Sequence, residues 1–292
     1  MHGRTRWLVL GTLVVSALGV AAPVAQADTN LGTVAGLTYM RDEAPSTPAP
    51  SVLVANAACP AGTHVVGGGT TPLAVSNFNV QFWINRTTSF DGPDPDRVPD
   101  DGWIGRGFNR FGEQKSMFVF AICSAGAVRY ATNHATAAPG AGVGTRAACP
   151  SGTHVAGGGA GLSGSATEAY LNSSSPYDSN DADHRPDDGW RARAYNQGGP
   201  SKRLTVRAEC VDALPRYAST ASTDSSQVVL TNCPAGTHAM GGGGLNAGLA
   251  SRAFLNALYP FMTSMGPPDD QFVLAVSRTD PTRYTGYVVC KA

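Results

Sequence analysis

One string constrains this chain more than any other feature. It reads "CPAGTHVVGGG" at 59–69, "CPSGTHVAGGG" at 149–159 and "CPAGTHAMGGGG" at 233–244. Internal repetition at this spacing marks a chain built from copies of one supersecondary unit. Within the string, Cys-Pro-x-Gly sets a turn, because Pro fixes φ and Gly permits positive φ. Thr-His-Val then enters a strand, and the Gly run excludes side chains where another backbone must approach or the strand must bulge. A string that every copy retains reads as scaffold.

The flanks align with the string. A Tyr-containing strand candidate precedes each copy (Tyr39, Tyr130, Tyr217). An aromatic-aliphatic-Asn step follows: "FWIN" ending at Asn85, "AYLN" at Asn172, "AFLN" at Asn256. A Pro-Asp-Asp loop comes next, as "VPDDGW", "RPDDGW" and "PPDDQF", and two more strand candidates end in Cys. The organisation expected is a leader at 1–27, unit one at 28–123, unit two at 124–210 and unit three at 211–292.

The leader carries Arg4 and Arg6, an apolar run from Trp7 to about Val20, and Ala25-Gln26-Ala27 as a small-x-small cleavage site. That is the layout of a secretory signal peptide. No later segment is apolar enough to cross a membrane, and no C-terminal anchor is expected after Cys290. With Arg4 and Arg6 removed, 19 basic residues face 21 acidic ones. There is no basic stripe and no basic amphipathic helix, which argues against nucleic acid and membrane surfaces as partners.

An even number of cysteines in a secreted chain argues for disulfides. Each unit holds one Cys at its start and one at its end, so Cys59–Cys123, Cys149–Cys210 and Cys233–Cys290 is the economical pairing. Pairing between neighbouring units is the alternative. Alternation in "LTVRAEC", with Leu204, Val206, Ala208 and Cys210 on one face, is a half-buried strand. No segment holds a helical period with caps. The fold expected is all-β: three disulfide-stapled antiparallel units, each a small sandwich or Greek-key sheet, in tandem or gathered into a pseudo-threefold, prism-like body.

The Cys-Pro-x-Gly-Thr and Gly-Gly-Gly strings, the Asp-Asp-Gly-Trp step and the closing Cys resemble a repeat of secreted actinobacterial proteins of largely unknown function. The triplicate Cys-Pro-x-Gly turn is also similar to vitelline membrane outer layer proteins. That second resemblance implies a threefold β-prism and a link to carbohydrate binding. These units are longer, and the triple Gly is not that family's signature.

Three constellations could carry chemistry. His64, His154 and His238 occupy equivalent places and would form a ring on a threefold axis, which could hold Zn²⁺ or Cu²⁺; a strand His bonded to its neighbours is the simpler expectation. Asp91, Asp94 and Asp96 in unit one, and Asp178, Asp181 and Asp183 in unit two, sit at short spacing with Gly and suit Ca²⁺, though neither loop fits the twelve-residue calcium register. No other cofactor is expected. Trp83, Tyr170 and Phe254, each two residues before Asn85, Asn172 and Asn256, offer a flat apolar face beside directional hydrogen bonds, as a sugar requires. The competing reading places these aromatics in the core.

In "SMFVFAIC", Phe118, Phe120 and Ile122 lie on the face where unit two has Thr205, Arg207 and Glu209, so unit one is expected to pack there against another unit or a partner. No Gly-x-Ser-x-Gly elbow, His-Glu-x-x-His or phosphate loop is present. The function expected is a secreted, non-catalytic binding or structural protein with cell-wall or extracellular glycan as ligand. The alternatives are an adhesion scaffold that binds protein, and a hydrolase with its site in the acidic loops.

Overall fold

The computed structural model describes residues 28–73, 82–179, 181–222, 227–247, 253–261, 267–278 and 283–292; the expected leader lies outside them. Among the described residues the regular structure is all strand. Unit one holds β1 (Thr29–Val34), β2 (Leu37–Thr47), β3 (Ser51–Ala58), β4 (His64–Pro72), β5 (Phe82–Phe90), β6 (Gly102–Asn109) and β7 (Lys115–Ser124). Unit two holds β8 (Arg129–Ala137), β9 (Gly142–Ala148), β10 (His154–Leu162), β11 (Ala169–Tyr177), β12 (Gly189–Asn196) and β13 (Lys202–Val211). Unit three holds β14 (Arg216–Ala221), β15 (Val228–Asn232), β16 (His238–Asn246), β17 (Ala253–Phe261), β18 (Gln271–Arg278) and β19 (Tyr284–Lys291).

These strands form three antiparallel sheets, ordered β1-β2-β7-β4-β17-β18-β15, β3-β6-β5-β10-β13-β8 and β14-β19-β16-β11-β12-β9. Each sheet joins strands of two units, four and three in the first sheet and three and three in the other two. Units one and two share the second sheet, two and three the third, three and one the first, so the chain closes into a ring and the pseudo-threefold arrangement is the one formed. The halves meet through few residue pairs: Thr87–Ala160 and Arg86–Gly161, Ser174–Gly244, and Leu258–Thr70.

The glycine triplets explain why this closure is possible. A Cβ on the first glycine of each triplet would strike the backbone of another unit's triplet strand. Gly67 faces Met240 and Gly241, Gly157 faces Val66 and Gly67, and Gly241 faces Ala156 and Gly157. This cyclic set marks the pseudo-threefold axis, where β4, β10 and β16 approach backbone to backbone. The third glycines (Gly69, Gly159, Gly243) lie against the backbone of β17, β5 and β11. The middle glycines seat a ring inside their own unit: Gly68 under Trp103, Gly158 under Trp190, Gly242 under Phe272. In each case the added Cβ would come closer than 3.0 Å, a separation real Cβ atoms essentially never show.

The ring on the middle glycine sets its neighbour. Trp103 Nε1 donates to Thr87 Oγ1 at 2.8 Å, and Trp190 Nε1 donates to Ser174 Oγ at 2.8 Å. The third unit has Phe272 and, at the matching place on β17, Leu258. A buried indole N–H requires an acceptor and a phenyl ring does not. The hydroxyl and the Trp therefore come and go together.

Cys59–Cys123, Cys149–Cys210 and Cys233–Cys290 join the two half-sheets of each unit. Each closes a loop of about 60 residues, worth on the order of 4 kcal/mol by the chain-entropy argument. The main apolar core runs through all three units without a break. A second cluster gathers Val66, Ala156 and Met240, the residues bulged out before each triplet, with Leu37, Tyr39, Ile122 and Val289. Ile122 is buried there, and Phe120 stacks on Tyr259 of unit three with ring centroids 6.0 Å apart. Phe120 and Ile122 on the apolar second face of β7 are thus covered by another unit, while Phe118 stays partly exposed.

Candidate functional site

The residues that the sequence offered as sites are mostly used to build the ring. Each histidine pairs with the first Asp of its own Pro-Asp-Asp loop: His64 Nδ1 lies 2.6 Å from Asp100, His154 Nδ1 2.7 Å from Asp187, and His238 Nδ1 2.5 Å from Asp269. The backbone adds two bonds per loop, for example Cys59 N to Asp101 O and Val65 N to Asp100 O. The histidines clip a loop to the Cys-Pro-x-Gly turn and do not converge as a metal ring.

The expectation of an aromatic sugar-binding face at Trp83, Tyr170 and Phe254 is corrected by burial. Trp83 and Tyr170 are 2% and 3% exposed and Phe254 is half-buried. The three rings form a triangle with centroids 5.4 to 5.8 Å apart, one from each unit. Asn85, Asn172 and Asn256 are buried with them. Asn85 Nδ2 donates to Ala169 O at 2.8 Å and Asn172 Nδ2 to Ala253 O at 2.7 Å, both across a unit boundary; Asn256 Nδ2 reaches Ser277 Oγ at 2.9 Å. The cause is local. A bulge falls at each Asn, between Ile84 and Arg86, Leu171 and Ser173, and Leu255 and Ala257. The strand then has two buried faces. Ile84 turns into its own unit's core while Trp83 meets the neighbouring unit.

The acidic loops of units one and two are folded alike. Asp94 Oδ1 accepts from Asp96 N at 3.2 Å and Asp96 Oδ1 from Val98 N at 2.7 Å; Asp181 Oδ1 accepts from Asp183 N at 3.0 Å and Asp183 Oδ1 from Arg185 N at 2.8 Å. Arg97 and His184 hold matching positive φ of 63° and 57°. Asp91, Asp94 and Asp96 come together, as do Asp181, Asp183 and Asp187, while Asp178 stands outside the second group. These oxygens could face a hard cation such as Ca²⁺. Several already accept bonds from their own loop, which is the chemistry of Asx turns.

A cleft lies at each junction, and a larger cavity of about 370 Å³ is lined by Val66, Val128, Leu214 and Met240. Between units one and three, β4 is flanked by Phe118 and Phe120 on one side and Tyr259 and Phe261 on the other, around about 290 Å³. Between units two and three the cleft holds about 280 Å³ beside Tyr177, Arg191, Tyr217 and Tyr287. Between units one and two, β10 is flanked by Arg203, Thr205 and Arg207 of β13, with His134 of β8, and by Arg86 and Thr88 of β5, around about 280 Å³. Phe120, Arg207 and Tyr287 occupy equivalent positions on β7, β13 and β19, opposite the third glycines in the register. One scaffold position therefore presents a phenyl, a guanidinium and a phenol.

The cleft between units one and two carries the most unusual electrostatics. Burial lowers the Arg86 pKa from its ordinary value, and Arg207 and Arg106 lower it further. Thr88 Oγ1 and Arg207 Nε are buried without a protein partner. Sequence reading passed over Arg86, Thr88 and Arg203. The available signal was at position 207, where unit two alone puts Arg among aromatics.

The fold and its clefts define a three-sided, pseudo-threefold all-β protein whose open surfaces lie at unit junctions. No protein-family model matches the chain, and no curated protein matches it. Among the described residues no helix is long and apolar enough to cross a membrane, and all six cysteines are bonded.

Proposed function

We propose that the chain is a secreted, non-catalytic binding protein whose ligand class is cell-wall or extracellular glycan. The observation that carries this reading is the set of junction clefts, lined by polar and aromatic side chains. Tyr, Arg and Thr side chains converging on a cleft suit a sugar ring, which needs an apolar face and directional donors. Three disulfides and the signal-peptide pattern support an oxidising, extracellular setting. A hydrolase in the acidic loops has less support, because those carboxylates cap their own backbone. Incubation of the purified protein with insoluble cell-wall polysaccharide, followed by sedimentation, tests the reading. Retention in the pellet, released by soluble polysaccharide, is expected; a protein left wholly in the supernatant by every polysaccharide would overturn it.

A second reading has its own observation. Phe118 and Phe261 line the cleft between units one and three and stay partly exposed, with Phe261 at 40%. Exposed aromatics around a groove also suit a protein partner. Loss of a captured partner on Phe261→Ser, with glycan retention unchanged, would favour that scaffold role.

A further inference from the structure

We propose that the cleft between units one and two is an anion site that takes a sulfate, phosphate or carboxylate group, presented by an extracellular polysaccharide. The polymer part rests on the function proposed above; the anion part stands on the cleft alone.

Arg86 and Arg106 are direct cross-strand partners on β5 and β6. Like charges directly opposite one another repel. Arg207 joins them from β13, and Arg203 stands exposed at the same cleft. Among the described residues none of these four arginines has a carboxylate at ion-pair distance. Arg106 and Arg207 are anchored, to Asn85 Oδ1 and Leu162 O and to Ser89 O respectively. Arg86 and Arg203 have no such anchor. The nearby acids are Asp91 and Glu209, which act on Arg207 from outside bonding distance. Glu209 is itself fully buried and accepts a hydrogen bond from Ser89 Oγ at 2.7 Å.

The remaining groups in the cleft have capacity to donate. Thr88 Oγ1 and Arg207 Nε lack protein partners. His134 Nδ1 meets Thr205 Oγ1 at 3.0 Å at the exposed rim of the cleft. Unpartnered buried donors in a cationic cleft call for an acceptor, and an oxyanion supplies several at once. Burial strengthens each of these bonds.

Arg86 and Arg207 are peculiar to this junction, whereas Arg106 and Arg203 have Arg193 and Arg283 as equivalents in other units. Unit two has Gly161 where units one and three have Thr71 and Leu245. A Cβ at Gly161 would meet Arg86 Cγ at 2.6 Å, so the glycine makes room for Arg86 to lie across β10. Arg207 replaces Phe120 and Tyr287.

The test uses the full mature chain and Arg86→Gln/Arg203→Gln, two residues without backbone anchors. Melting is measured in sodium sulfate, phosphate or acetate against sodium chloride at matched ionic strength, because sulfate also stabilises proteins non-specifically. Dextran sulfate and dextran are titrated in parallel. The site predicts that one of the oxyanions raises Tm beyond chloride in the parent, and that this excess vanishes in the double variant. The three salts distinguish tetrahedral anions from carboxylate. Dextran sulfate should bind the parent at least tenfold more tightly than the variant, with a salt-dependent affinity. Equal responses of parent and variant to the anions and to dextran sulfate would overturn the site. Loss of the anion response with no polysaccharide retained would keep the site and remove the glycan reading. Equal wall-polysaccharide retention by both proteins, with no anion response, would do the reverse.

Discussion

The hydroxyl of Tyr130, on the first strand of unit two, donates to the carbonyl of Val65 in unit one at 2.8 Å. The same bond closes the other two boundaries: Tyr217 to Val155 O at 2.8 Å and Tyr39 to Ala239 O at 2.6 Å. Burial pushes the pKa of all three phenols upward, so each stays a donor throughout the physiological range. The acceptor in each case is the residue after the repeated histidine. Each unit thus offers its string to the next unit's tyrosine.

Removing one donor should weaken the whole ring. Tyr130→Phe is expected to cost about 1–2 kcal/mol, because a part-buried carbonyl loses its partner. Urea unfolding should show a lower midpoint at an unchanged slope. A midpoint equal to the parent's would mean that the bond contributes nothing.

A single unit should not fold alone. Residues 124–210 would expose the edges of β10 and β11 that pair with β5 and β16, and would lose the Val65 and Ala253 carbonyls that accept from Tyr130 and Asn172. The isolated segment is expected to show poor amide dispersion by NMR even with Cys149–Cys210 formed. A well-dispersed spectrum would show that each unit carries its own sufficient core.

Glu209 gives the stability a pH dependence. Burial lifts its carboxyl from 4.5 to about 7; the Ser89 hydrogen bond and then Arg207 pull in the other direction. The folded chain therefore holds this proton more tightly than the unfolded chain does. The associated stability is fully present below pH 4.5 and is lost as pH rises through about 7. The swing is on the order of 3 kcal/mol. Glu209→Gln keeps a group that can bond Ser89 and removes the titration. The difference in unfolding free energy between variant and parent should move in the variant's favour from about pH 5 to about pH 8. A difference that stays flat over that range would contradict the assignment.

The scaffold was legible in the sequence because it is repeated. Cysteines at the unit ends, period two in "LTVRAEC" and the apolar second face at Phe118, Phe120 and Ile122 each follow from local pattern. The site was harder to read, because repetition points to what the copies share. Trp83 and Asn85 recur in kind, and they recur because every boundary needs them buried. The alternation rule offered one inward face per strand, whereas β5, β11 and β17 have two, one toward their own unit and one toward the next. Arg86, Thr88 and Arg203 converge only when β5 of one unit crosses beside β10 and β13 of another. Residues at 86 and 203 meet through that closure, which no local spacing encodes.

The glycine string is scaffold that closes the ring, and binding is proposed for the junction clefts. Gly158→Val tests it most directly, with melting and polysaccharide retention measured on the same sample. A Cβ at Gly158 would overlap Trp190, and such overpacking costs on the order of 1–3 kcal/mol. The predicted result is a Tm lower by several degrees, with retention persisting at temperatures where the variant is folded. A variant that melts like the parent and no longer binds polysaccharide would contradict it, and would place the ligand on the glycine string itself.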